Sequence, residues 1–466
     1  MADSDAKGVN LDALANARCE GPLWSDLLED DSRGLKLPDF IAAESTRYLG
    51  SEAIAADRYF APEFFAREKA KLWPKVWQFA AREEEMPEVG DTVVYENVGK
   101  SYLLVRQQDG SVRAFANVCL HRGRKLRLDS GPAKDFRCPF HAFTWNIDGS
   151  IKEIPCRWDF AHLTDDKMQL PEVRVARWMG FIFINEDPDA PDLLDFLDPL
   201  PKHFERWRLD ECYTGLWVAK VVPANWKAVM EAFMEAWHSL ETHPQILPFL
   251  GDANSRYDIY GDNVNRAVQP FGVISPHLYG TGVSEQDIID SYKQFAGRSD
   301  PTLDALKVEP GQKARHLLAA AHRKIYLEDL GYDASEATDA DVLENWTYNV
   351  FPNFSPWGGF MANIVYRWRP WPDQDHTLME VRMLFRKPKD APMPRAVPMH
   401  LLGPDEPWSA YKDWGSFGPI LDQDMDNLPY VQDGLKASAN NKVEFGNYQE
   451  MRIRQFQQTL DKYLAR

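Results

Sequence analysis

The sequence predicts an α+β protein in which a small all-β domain precedes a larger domain of helices and long strands. Short runs of β-branched and aromatic residues, separated by Gly, Asp and Pro turns, fill residues 91–187, a pattern typical of a small β domain. Residues 346–371 and 376–386 have the pattern of long strands, with a turn-rich interruption at 351–359. Residues 300–345 are helical in pattern. The larger domain therefore combines helices with an antiparallel sheet.

The sequence divides into three segments. We predict an N-terminal arm with helices that pack on the larger domain at residues 1–75, the small β domain at residues 76–186, and the larger domain at residues 187–466. Residues 225–240 are rich in helix formers, lack Gly and Pro, and begin with Asn225 as a suitable N-cap. They predict one continuous helix.

The composition indicates a soluble protein. The formal net charge of −18 disfavours nucleic acid or an anionic membrane as a partner, because both attract basic surfaces. No apolar stretch approaches the roughly 18 residues that a membrane helix requires. The N-terminal residues match neither a secretory signal nor a transit peptide, so we expect a cytoplasmic location. The 5 cysteines are an odd and sparse set, which favours reduced thiols over a disulfide framework.

Two short ligand pairs lie in the predicted β domain. Cys119-x-His121 and Cys138-x-x-His141 each stand where a β run gives way to a turn. Two such loops that face each other supply two sulfur and two imidazole ligands, which suit either a tetrahedral zinc or a Rieske [2Fe–2S] centre. Gly123 suits a tight loop whose backbone N–H groups approach cluster sulfurs, and this favours the iron–sulfur interpretation.

A second set of candidate ligands lies on the predicted helix. Glu231, Glu235 and His238 have the spacing of one helix face, which is ordinarily a solvated surface. His243 follows five residues after His238, and Pro244 disfavours helical geometry at His243, so the chain can turn the second imidazole towards the first. Two imidazoles and one carboxylate would form the facial triad of a non-haem Fe(II) site.

The spacing does not identify the carboxylate, because 71 acidic residues are available. Near the C-terminus, the segment LDQDMDNLPYVQDGL offers three candidates, Asp422, Asp424 and Asp426. From the residues alone, all three stay open.

The segments CLHRGRKL and CPFHAFTWNIDGSI resemble the Rieske signature of aromatic-ring-hydroxylating dioxygenase large subunits. This resemblance implies that Cys119 and Cys138 bind one iron of a [2Fe–2S] cluster, and that His121 and His141 bind the other. The two residues after His141, Ala and Phe, stand where the family usually has Gly and Trp.

The segment NWKAVMEAFMEAWHSLETH resembles the iron motif of the same family, which implies that His238 and His243 bind a mononuclear iron. The family's ligand Asp lies eight residues before a Gln, and counting back from Gln432 selects Asp424 as the third ligand, with Asp422 and Asp426 as fallbacks. Glu235 occupies the position, usually Asp, of a bridge between an iron-binding His and a Rieske His of the adjacent subunit. The bridge would connect His238 to His141 of a neighbouring copy.

The resemblance implies a terminal oxygenase whose larger domain is a helix-grip fold similar to START domains. It would activate O₂ with electrons from NAD(P)H, delivered by a separate reductase alone or with a ferredoxin, and assemble as α3 or as α3β3 with a small subunit. The expected substrate is hydrophobic and aromatic, although Glu at the bridge also occurs in relatives that act on carnitine-like quaternary amines. Reaction classes of the family include dihydroxylation, monooxygenation and demethylation.

Four apolar segments either line a substrate pocket or belong to the core, namely residues 249–250, 278–279, 349–354 and 361–364. The alternative from a different class is a hydrophobic-ligand-binding protein without redox activity, in which the Cys and His pairs hold a structural zinc.

Overall fold

Antiparallel sheets organise both units of the chain in this computed structural model, which describes residues 19–296, 300–360 and 363–466. The smaller unit contains residues 66–196 with 393–396 and the C-terminal residue, and the larger unit contains the other described residues. The predicted α+β class is confirmed. The predicted boundaries at 75/76 and 186/187 stay predictions. None of the described helices is long and apolar enough to cross a membrane.

The smaller unit consists of a large and a small sheet. The large sheet has the strand order Gln78–Arg82, Phe181–Asn185, Glu172–Trp178, Val112–Ala116, Lys100–Arg106, Asp91–Asn97 and Gly131–Pro132. The small sheet consists of Asp135–Arg137, Thr144–Asn146 and Ile151–Glu153. The first ligand loop follows Val112–Ala116, and the second connects the first two strands of the small sheet. Both cysteines of the ligand pairs pack in one buried apolar cluster with Phe115 and Trp145.

The larger unit is built on one long mixed sheet. Its strand order is Arg256–Tyr260, Val264–Gln269, Asn345–Val350, Phe354–Gly358, Asn363–Pro370, Thr377–Arg386, Cys212–Val222 and His400–Leu401. All pairs are antiparallel except the last, which is parallel. Gly215 lies at a register shift in the longest strand. A Cβ at this position would lie 1.9 Å from the Phe385 ring, so glycine is the residue that fits there. A separate two-stranded sheet pairs Ile54–Ala55 with Lys442–Val443.

The described residues also form α-helices. The helices of the N-terminal part are Trp24–Glu29, Asp39–Ala42, Pro62–Arg67, Leu193–Phe196 and Leu200–Phe204. The helices of the middle part are Trp226–Glu231, Ser239–Thr242, Glu285–Ala296, Pro301–Asp304, Ala314–Arg323 and Asp339–Leu343. Phe417–Met425, Leu428–Lys436 and the C-terminal helix Met451–Ala465 follow.

The predicted interruption at residues 351–359 is partly wrong. Only residues 351–353 form a turn, and Phe354–Gly358 is a strand that pairs with both of its neighbours, Asn345–Val350 and Asn363–Pro370. Pro356 obscured this strand in the sequence. The strand pairs with Asn345–Val350 at Phe354, Trp357 and Gly358 but not at Pro356, so the missing N–H falls at a gap in that ladder.

The predicted continuous helix over residues 225–240 is also wrong. Asn225 caps the helix as predicted, with its side chain accepting a hydrogen bond from Lys227, but the helix ends at Glu231. Residues 232–238, which we call the Glu235 segment, are irregular, and a short helix then covers Ser239–Thr242. Buried side chains from distant parts of the chain bind backbone groups of this segment, and these tertiary contacts override the local helix propensity.

Glu231 does not belong to a solvated stripe, because its side chain is buried. It accepts hydrogen bonds from the Tyr59 hydroxyl at 2.8 Å and from Gln457 Nε2 at 2.6 Å. Burial raises the pKa of Glu231 to about 7, although the hydrogen bonds from Gln457 and Tyr59 lower it. The Glu231 carboxyl group therefore connects the N-terminal arm, the helix Trp226–Glu231 and the C-terminal helix. Its raised pKa favours the protonated form.

Glu231→Gln should change how stability depends on pH. The pKa of Glu231 is 4.5 in the unfolded protein and about 7 in the folded protein. Between these values only the folded protein keeps the proton. The contribution of this group to the free energy of unfolding is therefore present at acid pH and is lost as the pH rises through 7. A neutral Gln avoids that loss. We expect the variant to gain up to about 3 kcal/mol relative to wild type between pH 5 and pH 8, measured by thermal unfolding. Glu63→Gln, an exposed control, should show no such trend, and a constant difference for Glu231→Gln would contradict the account.

Candidate metal centres

The two ligand loops of the smaller unit have the same backbone hydrogen bonds. In the first loop, Cys119 N–H donates to the carbonyl five residues later at 2.8 Å, and the Cys119 carbonyl accepts from Gly123 N–H at 2.9 Å. The second loop repeats both bonds at 2.8 and 2.9 Å, with Cys138 and Ala142 in the corresponding positions. The two pairs of ligands are therefore carried by two equivalent turns.

The equivalent turns each contain a left-handed residue four positions after the cysteine. This residue is Gly123 in the first loop, with φ of +76°, and Ala142 in the second, with φ of +63°. The left-handed region costs an L-residue roughly 1–2 kcal/mol, which explains why glycine suits this position. The Ala in this sequence therefore introduces backbone strain.

The four predicted ligands lie together, with the sulfur atoms inside and the imidazoles outside. Cys119 and Cys138 are free, buried thiols, whereas His121 and His141 are partly exposed. The two imidazole rings are 4.7 Å apart between centroids. Phe143 stacks on the His121 ring at 4.7 Å with an interplanar angle of 13°. The loops thus present two sulfur and two nitrogen donors in one place.

The chemistry of these donors fits a Rieske cluster. His121 Nδ1 is buried and has no hydrogen-bond partner, which leaves it available as a ligand. Burial, followed by the charges of His141 and Arg122, lowers the pKa of His121, so the imidazole is neutral. Burial raises the pKa of Cys119, while backbone N–H groups of His121 and Arg122 act in the opposite direction. Such N–H groups are the kind that stabilise negative charge on cluster sulfur.

The equivalence of the two turns predicts opposite effects from exchanging their left-handed residues. Ala142→Gly should stabilise its loop, and Gly123→Ala should destabilise the other, each by about 1 kcal/mol. A Cβ at Gly123 would meet nothing within 4 Å, so the second change tests backbone strain alone. Thermal loss of the visible absorption of the cluster measures both. A lower bleaching temperature for Ala142→Gly would contradict the assignment.

The larger unit brings together the three residues predicted for the mononuclear iron. One ligand atom from each of His238, His243 and Asp424 lies within 4.8 Å of the other two. His243 Nε2 is 3.0 Å from Asp424 Oδ1, and His238 Nε2 is 3.7 Å from the same oxygen. Ligand atoms about 2.1 Å from one metal and at right angles to each other are about 3 Å apart, so the spacing fits a facial triad.

The second nitrogen of each imidazole is held by a neighbouring side chain. His238 Nδ1 is 2.5 Å from Glu235 Oε1, and His238 N–H donates to Glu235 Oε2 at 3.1 Å. His243 Nδ1 is 2.9 Å from Gln423 Oε1, which also accepts from Gln245 Nε2 at 2.7 Å. A proton on each Nδ1 leaves the Nε2 lone pairs directed at Asp424 and available to a metal.

The electrostatics of the triad favour a bound cation. Burial lowers the pKa of His238, but the charge and hydrogen bond of Glu235, followed by the charge of Asp424, raise it to about 9. Two carboxylates thus stabilise positive charge at this point. The residues present therefore fit a mononuclear Fe(II).

Only one of the three candidate aspartates approaches the imidazoles. Asp424 is buried, whereas Asp426 is exposed. Asp422 accepts hydrogen bonds from Trp408 N–H at 2.6 Å and Ser409 N–H at 3.2 Å, so it serves as a cap for the turn at 408–410. The ligand role of Asp424 stays a prediction, which its position favours.

Asp424→Ala should lose the mononuclear iron and keep the cluster, because the larger unit alone contains the triad. Asp422→Asn is the matched control, since it alters a structural cap two residues away and should retain the iron. Iron content by mass spectrometry, together with the visible spectrum of the cluster, measures both. Full iron content in Asp424→Ala would move the third ligand to another acid.

Several residues near the triad had no signal in the sequence. Gln423 is one of them. Nothing in the sequence distinguishes this amide from others, and only the fold brings it to His243. A group of aromatic rings is another: Tyr366 stacks on Trp368 at 5.2 Å, and Phe233 contacts both rings, at 5.0 and 5.6 Å. Phe233 lies two residues before Glu235, and burial followed by the charge of Asp424 raises the pKa of Tyr366.

The apolar segments considered as pocket linings have different outcomes. Phe249 and Leu250 belong to a buried core cluster with Phe271 and Tyr292. Residues 351 and 354 are also buried, and residues 278–279 are partly exposed. Part of the segment 361–364 lies outside the described residues.

Known proteins match both parts of the chain. The model of the ring hydroxylating alpha subunit (catalytic domain) matches residues 199–466, and that of the Rieske [2Fe-2S] domain matches residues 76–164. The chain therefore contains both domains, the Rieske domain first and the catalytic domain after it. The chain belongs to the family of ring-hydroxylating alpha subunits, as predicted. The family implies a Rieske [2Fe–2S] cluster and a mononuclear non-haem iron, and the zinc-binding alternative is not favoured.

The individual relatives are oxygenases of two kinds. The oxygenase subunit of carnitine monooxygenase from Escherichia coli K12 is 34% identical over 212 residues, which are 44% of this chain and 57% of the relative. The chain thus matches little more than half the length of that protein. The large oxygenase component of the naphthalene 1,2-dioxygenase system from Pseudomonas putida is 28% identical over 323 residues, covering 63% of this chain and 70% of the relative.

Solved structures share the fold. A quaternary ammonium Rieske monooxygenase in complex with L-carnitine has a TM-score of 0.62 at 19% identity, covering 92% of this chain and 99% of the other. Naphthalene 1,2-dioxygenase with bound indole has a TM-score of 0.62 at 20% identity, with 90% and 94% coverage.

Proposed function

We propose that this chain is the catalytic subunit of a terminal oxygenase that receives electrons from NAD(P)H through a separate reductase, alone or with a ferredoxin. The observation that carries the proposal is the convergence of His238, His243 and Asp424, with the remaining imidazole nitrogens already engaged. Residues 1–75 and 187–466 would form the catalytic part and residues 76–186 the electron-receiving part. Assembly as α3 or α3β3 belongs to the same proposal.

The residues of the chain would divide the work between the two centres. Cys119, Cys138, His121 and His141 would hold the cluster, and the triad would hold Fe(II). When bound, the two groups supply electron storage and O₂ activation. Glu235 and Gln423 keep protons on Nδ1 of the two imidazoles and so fix their orientation.

Glu235 is the proposed bridge to His141 of a neighbouring copy. Both of its oxygens already contact His238, and each oxygen retains a lone pair that a second imidazole N–H can use. The Glu235 side chain keeps 9% of its surface exposed and the His238 side chain 27%, so a second donor would approach from that side. These features support a role in coupling the two centres.

Glu235→Gln should leave both centres occupied and slow electron transfer between them by roughly a hundredfold or more. A Gln has one acceptor oxygen, whereas His238 presents two N–H donors, and the negative charge is lost. Single-turnover oxidation of the reduced cluster, followed by stopped-flow absorbance, measures the rate. Glu241→Gln, an exposed acid in the adjacent helix, should keep the wild-type rate. A wild-type rate in Glu235→Gln would remove the bridge from the mechanism.

The substrate proposed first is a small hydrophobic aromatic compound. Phe233, two residues before Glu235, is partly exposed and packs on the buried rings of Tyr366 and Trp368, and exposed aromatic ring faces suit stacking with an aromatic substrate. A quaternary ammonium compound is the second candidate, because the same faces attract a cation. The names of the carnitine-oxidising relatives favour this second candidate.

Product analysis with a compatible reductase tests the function and separates the two candidates. Aromatic acids, hydrocarbons and methyl ethers form one panel. Each quaternary ammonium compound is paired with its neutral tert-butyl isostere in a second panel. Hydroxylated or demethylated product from the first panel supports the aromatic substrate. Strong preference for the cation over its isostere supports the second candidate. A fully loaded protein whose cluster is not reoxidised by O₂ with any compound would contradict the oxygenase proposal.

A further inference from the structure

The peptide groups on both sides of Glu235 are held by buried side chains. Arg452 of the C-terminal helix donates from Nη1 to the Met234 carbonyl at 3.1 Å. The Tyr257 hydroxyl accepts from Ala236 N–H at 3.1 Å. Arg452 and Tyr257 are both fully buried. Glu235 is therefore the residue between two fixed peptides.

These contacts replace the bonds of a helix. In a continuous helix, His238 N–H would donate to the carbonyl of Met234, four residues earlier. Here Arg452 takes that carbonyl, and Glu235 Oε2 takes the His238 N–H. The donor and the acceptor of this helical hydrogen bond are therefore apart, and each forms a hydrogen bond with a side chain instead. The composition of residues 226–240 favours a helix. The irregular backbone of residues 232–238 therefore depends on side chains that compete for the helical hydrogen bonds.

Burying the charged side chain of Arg452 costs free energy, and its neighbours offset part of this cost. Its other hydrogen bonds go to uncharged oxygens of Asn265, at 2.6 Å, and of Thr347 and Asn349, at 3.2 to 3.3 Å. Burial lowers the pKa of Arg452 to about 9, whereas the charge of Glu235 is among those that raise it. The guanidinium therefore remains a cation at neutral pH and interacts favourably with the Glu235 carboxylate.

We propose that Arg452 and Tyr257 are positioning residues that hold Glu235 in the irregular path from which its carboxylate reaches both N–H groups of His238. The inference rests on the proposed function of Glu235 as the bridge between the two centres. It makes the C-terminal helix and the strand Arg256–Tyr260 part of the electron-transfer apparatus, although neither contributes a ligand.

The test compares Arg452→Met with Arg454→Met in the full-length, metal-loaded protein. Arg454 is the matched control, because it is a buried arginine of the same helix that donates to carbonyls of Glu52, Phe445 and Gly446 and has no bond to residues 232–238. Two quantities are measured: hydrogen exchange of the peptide covering residues 232–240, also in metal-free protein, and the single-turnover rate of cluster oxidation.

Arg452→Met should speed hydrogen exchange in this peptide by about tenfold and slow cluster oxidation by about tenfold. A tenfold change is the size expected when the hydrogen bond from Arg452 to the Met234 carbonyl is lost. Arg454→Met should leave both at wild-type values, even if it unfolds at a lower temperature. Arg452→Lys, which can still donate to the Met234 carbonyl, should recover part of the rate. Equal behaviour of the two Met variants would overturn the proposal.

Tyr257→Phe keeps the test decisive if Arg452→Met does not fold, because it removes one hydroxyl from a folded core. We expect faster exchange at residues 232–240 and a severalfold slower oxidation at full metal content. Wild-type exchange and rate in Tyr257→Phe would overturn the proposal. If wild type itself fails to transfer electrons, or if Glu235→Gln transfers them at the wild-type rate, the proposed function of the bridge fails instead.

Discussion

The contact between Glu235 and His238 organises the candidate mononuclear site. A single carboxylate receives the ring Nδ1 and the backbone N–H of the same histidine, which fixes both the tautomer and the direction of Nε2. That direction places Nε2 3.7 Å from Asp424 and brings it together with His243. The contact requires the chain to leave helical geometry after Glu231, so the site depends on a local structure that its own sequence does not favour.

The length of the Glu235 side chain is compatible with this arrangement. A longer side chain can turn back and let its two oxygens reach two donors of one residue three positions later. The resulting geometry suits the orientation of an iron ligand, and each oxygen keeps a lone pair for a further donor.

The sequence was most informative where ligands are close together in the chain. Cys119, His121, Cys138 and His141 lie on two turns whose backbone bonds are local, so spacing and residue type predicted their proximity. Asp424 meets His243 across 181 residues, and only the family resemblance selected it from three aspartates. The irregular Glu235 segment could not be predicted, because Arg452 reaches Met234 across 218 residues while local propensity favours a helix. The α+β class followed from periodicity alone, whereas the strand Phe354–Gly358 was obscured by a proline within it.

Metal analysis combined with electron paramagnetic resonance of the anaerobically purified protein shows whether one chain holds both metal centres. We expect a brown protein with about three iron atoms and about two acid-labile sulfides per chain, and a Rieske-type signal after reduction. We also expect that about one of these irons is lost in Asp424→Ala while that signal stays. A colourless protein with about one zinc per chain and neither iron nor sulfide would contradict the account.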